Sequence, residues 1–216
     1  MQRNPLFVAL GAVVLLTSAC TARDEDSRSA DAFMQALASH CGQAFAGRVT
    51  VNEPASSVPD PFEGKPPVLH VAECTRGGQE VRLPLHVGDD HSRTWVFTRV
   101  AQGLRLRHYQ WRADGRPDEV SDFGGLSLPP GSARRQAFAV DAPSIAMFRR
   151  IGLPASLENH WTVDVHPGQR FSYPLSRPDG RVFRVDFDLR RPVGLAGAGA
   201  LTAACRGRGA TARVGA

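Results

Sequence analysis

Short segments that alternate between apolar and polar residues dominate the second half of the chain. The three clearest are Asn159–Val165, Arg170–Leu175 and Arg181–Leu189, which are joined by short turns containing Pro and Gly. Within each segment apolar side chains recur at every second position, and most positions between them are polar or charged. A period of two places the apolar side chains on one face of a β-strand. One face of the predicted sheet therefore packs on a core, and the other faces water.

The same alternation occurs earlier in the chain, where two hairpins organise it. The first has its turn at Thr75–Gly78, which supplies glycines where a positive φ is needed, and the second turns at Ala101–Gly103. The other predicted strands are Arg48–Val51, Val68–Cys74, Val81–Val87, Arg93–Val100, Leu104–Arg112 and Arg134–Val140. About nine strands in up-and-down order favour a mainly β fold, an antiparallel β-barrel, over a two-sheet Greek-key sandwich.

Two helices and two irregular segments complete the predicted domain. Ser29 or Asp31 caps an N-terminal helix, whose apolar residues recur at steps of three and four. Asp141 caps a short helix over Ala142–Ile151, between later strands. Two segments rich in proline or glycine are predicted to be irregular: Pro54–Pro67 and Ser121–Ser132.

The N-terminus has the pattern of an export signal. After a short basic start, Pro5–Ala19 is an apolar run too short to span a bilayer comfortably. The end of this run and the next residue form Leu16–Cys20, which resembles the lipobox of bacterial lipoproteins. The resemblance implies that Cys20 carries the lipid and, because Thr21 rather than Asp follows it, that the outer membrane is favoured. A retained membrane anchor and an ordinary signal peptide cleaved near Ala19, with secretion of the protein, are the alternatives.

These features divide the chain into four parts. Residues 1–19 are the signal peptide, 20–28 the lipid attachment site and a polar tether, 29–192 a single β-barrel domain, and 193–216 a disordered tail rich in Gly, Ala and Arg. The procession of strands resembles calycins, the lipocalin-like barrels, which implies the same barrel fold. The stretch Arg82–Gly125 resembles exported bacterial proteins, which implies an envelope address and no particular activity.

The distribution of charge argues against a nucleic-acid partner. The formal net charge is +5, but six arginines lie in the signal or near the C-terminus: Arg3, Arg190, Arg191, Arg206, Arg208 and Arg213. Subtracting these six charges from +5 leaves −1 for residues 4–189. A nearly neutral body lacks the basic surface that binds nucleic acid.

Three cysteines follow Cys20, and two of them are predicted to pair. Cys41 and Cys74 lie inside the globular part of an exported chain, where oxidising conditions favour a disulfide. Such a bond closes a loop of about thirty residues and stabilises by about 2–4 kcal/mol. Cys205 lies in the tail and is left over.

The strand Leu104–Arg112 holds the predicted ligand-binding residues. If Leu104 and Leu106 point inward, the same parity brings three polar residues inward: His108, Gln110 and Arg112. A half-polar interior predicts a cavity in which Arg112 pairs with an acidic headgroup and His108 donates a hydrogen bond. The alternative is a bulge near His108 that leaves these polar groups in solvent.

Other polar clusters match no catalytic or metal-binding pattern. His86–His91 gathers two histidines and two aspartates, but a polar hairpin tip explains them more simply than a metal does. His160, Asp164 and His166 share the solvent side of their strand. Because nucleophile elbows, zinc motifs and phosphate-binding loops are missing from the sequence, we predict no catalytic residue, no metal and no cofactor.

The sequence thus predicts a lipid-anchored protein of the cell envelope, facing the periplasm, that binds a small apolar or amphiphilic ligand without catalysis. Its partners would be the membrane, through the lipid, and that ligand. The alternative is an interaction module that docks an envelope protein through its outer face or through Pro54–Pro67. An enzyme centred on His108 or on His86–His91 ranks third.

Overall fold

The computed structural model describes residues 24–54, 62, 64–75 and 77–194. The signal peptide, Cys20, Cys205, the tail from residue 195 and most of the Pro54–Pro67 segment lie outside these residues. The described residues contain two helices, α1 over 24–38 and α2 over Ala142–Arg150, with a 3₁₀ turn at Pro154–Glu158. The strands are β1 Ala44–Glu53, β2 Pro67–His70, β3 Glu73–Cys74, β4 Glu80–Val87, β5 Asp90–Val100, β6 Gly103–Gln110, β7 Phe123–Leu128, β8 Arg135–Ala139, β9 His160–His166, β10 Arg170–Ser176 and β11 Val182–Pro192.

The strands form one closed antiparallel barrel in up-and-down order, as the sequence predicted. From β4 to β11 each strand pairs with the next one along the chain, and β11 pairs with β1, for example at Val49↔Val185. The ring closes through β2, which pairs with both β1 and β4. Strand β3 pairs with β4 too, beyond the residues that pair with β2. Strands β2 and β3 therefore act as one interrupted strand, and the ring has ten positions. Among the described residues, no helix is long and apolar enough to cross a lipid bilayer.

One strand was missed, because Ser121–Ser132 was predicted to be irregular and contains β7. Its glycines have a steric purpose that a propensity scale does not show. A Cβ on Gly124 would stand 2.8 Å from the carbonyl carbon of Leu106, and a Cβ on Gly125 would stand 2.8 Å from that of Ala139. The backbones of β6 and β8 therefore approach β7 as closely as glycine permits.

Helix α1 covers the end of the barrel where β1 begins, and it starts earlier than predicted. Residues 24–28, assigned to the polar tether, are helical. Arg99, near the end of β5, explains this extension, since its guanidinium donates to Asp31 Oδ1 at 2.6 Å and to Ser27 Oγ at 2.7 Å. On the opposite face of the helix, Phe33 and Leu37 enter the barrel core.

The predicted disulfide is present and ties α1 to the barrel wall. Cys41 lies just after α1 and Cys74 lies in β3, with their Cα atoms 6.2 Å apart. The bond joins residues 33 positions apart in sequence. It holds the C-terminal end of α1 beside β3 and β4.

Helix α2 closes part of the opposite end, and its predicted cap is confirmed. The Asp141 carboxylate accepts a hydrogen bond from Ser144 N at 3.1 Å. The same carboxylate binds Arg107 of β6 at 2.7 Å, so the cap also fastens the helix to the barrel wall. Phe148 of α2 packs on Phe123 of β7, with ring centres 5.3 Å apart.

Candidate functional site

Aromatic side chains from opposite walls meet inside the barrel. Trp95 of β5 stacks on Tyr173 of β10 with ring centres 4.0 Å apart and lies 6.2 Å from Phe171. Nearer to α1, Phe97 of β5 lies 5.9 Å from Phe138 of β8. All five side chains are buried. At these levels the protein's own rings occupy the space in which an interior ligand was predicted.

His108 points into this core, as the strand parity predicted, and its hydrogen bonds are satisfied. Its Nδ1 lies 3.0 Å from the carbonyl oxygen of Phe123, which can only accept, so Nδ1 carries the proton. The Nε2 atom then accepts from the hydroxyl of Tyr173. Burial lowers the pKa of His108 to about 4, helped by the nearby Arg107 charge and opposed by the bond to Phe123. His108 is therefore a neutral core residue with no lone pair left for a ligand.

Gln110 and Arg112 do not join His108 in an interior pocket. Gln110 is the last residue of β6 and is half-buried. Arg112 lies beyond the strand, with its side chain 46 % exposed and its Nε 3.7 Å from Asp118 Oδ2. The prediction that Arg112 points into the barrel is wrong, because β6 ends before the alternation reaches it.

The burial of His108 predicts a measurable loss of stability in mild acid. Its folded pKa of about 4 lies below the unfolded value of 6.5, so the unfolded chain binds more protons as pH falls from 6.5 towards 4. We expect the free energy of unfolding to fall by about 2 kcal/mol more in the wild type than in His108→Gln between pH 7.5 and pH 5.0. Urea titrations of both proteins at the two pH values measure this difference.

His160→Gln is the matched control, because His160 lies on the outer side of β9. It should retain the wild-type difference between the two pH values. An equal pH dependence in His108→Gln and the wild type would contradict a neutral buried imidazole at position 108.

A cleft with several charged side chains lies on the outer wall, where β1 and β11 separate. The strands pair at Gly47↔Phe187 and again at Phe45↔Pro192. Between these pairs β1 has one residue, Ala46, whereas β11 has four, residues 188–191. A cleft of about 640 Å³, here called the β1–β11 cleft, occupies the gap. Such irregularities in a ladder often occur beside binding sites.

The β1–β11 cleft contains more cations than its own carboxylates can pair. Asp188 binds Arg190 at 2.8 and 2.9 Å, and hydrogen bonds from Arg190 lower the pKa of Asp188 to about 2. Asp186 accepts from Arg184, which lies outside the cleft, at 2.9 Å. Arg48 and Arg170 also line the cleft and are exposed, and within the described residues neither has an acidic partner.

Two further residues shape the cleft. Gly47 lies against Phe187, because a Cβ at position 47 would stand 2.6 Å from the Phe187 ring and 2.9 Å from the carbonyl oxygen of Asp186. His166, one of the outward histidines of β9, also lines the cleft. His160 lines a separate pocket of about 350 Å³ near the other end of β9, so these two histidines do not share a site.

The β4–β5 hairpin contains His86 and His91, and His70 of β2 lies beside them. Ring centres of His86 and His91 are 3.8 Å apart, and those of His86 and His70 are 4.2 Å apart. Burial, followed by the charges of His70 and His91, lowers the pKa of His86 to about 4. Burial and the His91 charge also lower the pKa of His70. His70 was not predicted to join this cluster, because it lies 16 residues before His86 in the chain, although the outward parity of the two residues could have suggested it.

The chain was compared with known proteins. No protein-family model and no curated protein matches it. A solved structure that it resembles is a redesigned β-barrel, mFAP1, bound to DFHBI, with 8 % sequence identity and a TM-score of 0.26. The match covers 72 % of this chain and 97 % of the barrel.

Proposed function

We propose that the protein is a lipid-anchored binding protein of a bacterial cell envelope, and that it holds a small anionic amphiphile in the β1–β11 cleft. The observation that carries this proposal is the gap between β1 and β11 with Arg48 and Arg170 on either side of β11. Guanidinium groups bind carboxylates and phosphates through paired N–H donors. Ala46, which is exposed, provides a small apolar surface beside them.

The ligand thus remains amphiphilic, but its site moves from the lumen to the outer wall. Inside the barrel, aromatic rings fill the space beside His108, and both of its ring nitrogens already have hydrogen-bond partners. In the cleft, two arginines without acidic partners are available to a negative headgroup. The proposal is one of binding without catalysis, since the residues of the cleft include no nucleophile placed by a base.

The proposed anchor would hold the cleft close to a membrane. Cys20 lies four residues before residue 24 of α1, and four residues span at most about 14 Å. Helix α1 covers the end of the barrel at which β1 begins, and the cleft opens at this same end. His40, just after α1, accepts a hydrogen bond from Gly168 N in the β9–β10 turn at 3.3 Å. An amphiphile at the bilayer surface would therefore lie near its site.

Charge reversal in the cleft should abolish binding of an anionic amphiphile. We expect the full-length protein, purified from membranes in an uncharged detergent, to bind dodecanoate and not the uncharged dodecanol. The double variant Arg48→Glu/Arg170→Glu should weaken dodecanoate binding at least tenfold, because two charge-assisted contacts are replaced by repulsion. Isothermal titration calorimetry measures binding, and native mass spectrometry identifies any anionic molecule that co-purifies.

Arg149→Glu/Arg150→Glu is the matched control, because it reverses two exposed arginines at the end of α2. It should bind dodecanoate as the wild type does. Equal binding by both double variants would exclude the cleft as the site. The Cys20→Ser variant tests the anchor separately. This protein should no longer be found in the membrane fraction, but it should still bind dodecanoate.

A further inference from the structure

Three histidines from three strands lie side by side on the outer wall of the barrel. His70 ends β2, His86 is the penultimate residue of β4, and His91 is the second residue of β5. Their neighbours Leu69, Leu85 and Val87 point into the core, so His70 and His86 point outward by alternation. The bulge between β4 and β5 brings His91 against His86.

The imidazoles of this cluster have no hydrogen-bond partner among the residues that the structure describes. His86 Nε2 is buried and makes no hydrogen bond. Within the described residues no side-chain hydrogen bond involves His70 or His91 either. Buried polar atoms in folded proteins are nearly always paired, so an unpaired ring nitrogen between two other imidazoles calls for an explanation. This contrasts with His108, whose two nitrogens both have partners.

We propose that His70, His86 and His91 bind one divalent transition-metal ion. Imidazole nitrogen is a preferred ligand of Zn²⁺, Ni²⁺ and Cu²⁺, and three histidines with water in the fourth position form a common coordination set. The ion would take the unpaired Nε2 of His86 as one ligand. Carboxylates are not needed, since Asp90 of the same hairpin is engaged by Arg93 and by Ser92 N.

The rings must reorient to receive the ion. As the side chains stand, no group of three or more His, Cys, Asp or Glu among the described residues could hold a metal, and the His86 and His91 rings are stacked at 14°. With metal–nitrogen distances of about 2.0–2.1 Å, the centres of two imidazoles on a tetrahedral ion are about 5 Å apart. The present separations of 3.8 and 4.2 Å must therefore increase by about 1 Å, and the stacked rings must also turn so that their nitrogens point at one ion. His91 is exposed and can turn about its side-chain bonds without disturbing the core.

The test titrates full-length protein without a polyhistidine tag with Cu²⁺, Ni²⁺, Zn²⁺ and Mg²⁺. Binding should follow the order of transition-metal affinities, strongest for Cu²⁺, with no binding of Mg²⁺. The electron paramagnetic resonance spectrum of the Cu²⁺ protein should show coupling to three nitrogens. His91→Ala should weaken Zn²⁺ binding at least tenfold, as should His86→Phe, which keeps an aromatic ring in the cluster.

The control is His160→Ala, which removes an outward histidine of β9 and should leave Zn²⁺ binding unchanged. His91→Ala keeps the test valid if His86→Phe fails to fold, because the His91 side chain is exposed. The proposal is overturned if the wild type binds neither Cu²⁺ nor Zn²⁺, if His91→Ala binds as tightly as the wild type, or if the spectrum shows a single nitrogen. The last result would indicate adventitious binding by one surface histidine.

Discussion

Gly125→Ala is expected to lower the free energy of unfolding by at least about 4 kcal/mol or to prevent folding altogether. The new methyl group would overlap the carbonyl oxygen of Ala139 in β8 and stand 3.5 Å from the amide nitrogen of Asp141. Both contacts are with backbone, which cannot rotate away as a side chain can, so β7 would have to separate from β8. Urea unfolding followed by tryptophan fluorescence measures the loss.

Gly194→Ala provides the comparison for this substitution. A Cβ at position 194 would have no atom within 4 Å, so the free energy of unfolding of this variant should be within about 0.5 kcal/mol of the wild-type value. If Gly125→Ala matched it, the close approach of β7 to β8 would be wrong. The strand that the sequence analysis missed would then lack its structural basis.

Trp95→Ala is expected to lower the free energy of unfolding by about 3–5 kcal/mol, because it removes a large side chain that reaches across the lumen. Trp95 is 6 % exposed, and its indole stacks on Tyr173 and packs near Phe187 from the opposite wall. Its loss would leave a cavity that the rigid barrel walls cannot fill. Differential scanning calorimetry and urea unfolding should both show the decrease.

Trp111→Ala removes the same side chain from the outer surface, where it is 38 % exposed. It should lower the free energy of unfolding by no more than about 1 kcal/mol. If Trp95→Ala cost as little and the variant bound dodecanol, the lumen would be a ligand cavity after all. That outcome would return the ligand site to the interior of the barrel.

Most of the architecture could be predicted because every strand from β8 to β11 carries its own alternation. Phe171 and Tyr173 mark the inner face of β10 in the sequence as clearly as they do in the structure. The predictions failed where contacts with residues distant in sequence, rather than the local pattern, determine the structure. Gly124 and Gly125 indicate a loop in isolation, and only the approach of β6 and β8 makes them strand residues. The polar residues 24–28 form helix because Arg99, some 70 positions away, binds Ser27 and Asp31.

The proposed binding site was much harder to predict, because it depends on where strands stop pairing. The parity rule placed His108 correctly and failed at Arg112, two residues after β6 ends. Nothing local to Arg48 or Arg170 distinguishes them from other surface arginines. Their significance comes from the four residues of β11 that face the single Ala46 of β1, and that mismatch is a property of the paired strands rather than of either sequence segment.

The seam between β1 and β11 also determines when the barrel can be completed during synthesis. It joins residues such as Thr50 and Asp186, which are 136 positions apart and form a hydrogen bond of 2.9 Å. Until β11 has left the ribosome, β1 has an unpaired edge and the core lacks one wall. Contacts so distant in sequence also form slowly. Closure of the barrel therefore has to wait until β11 has been synthesised, long after β1.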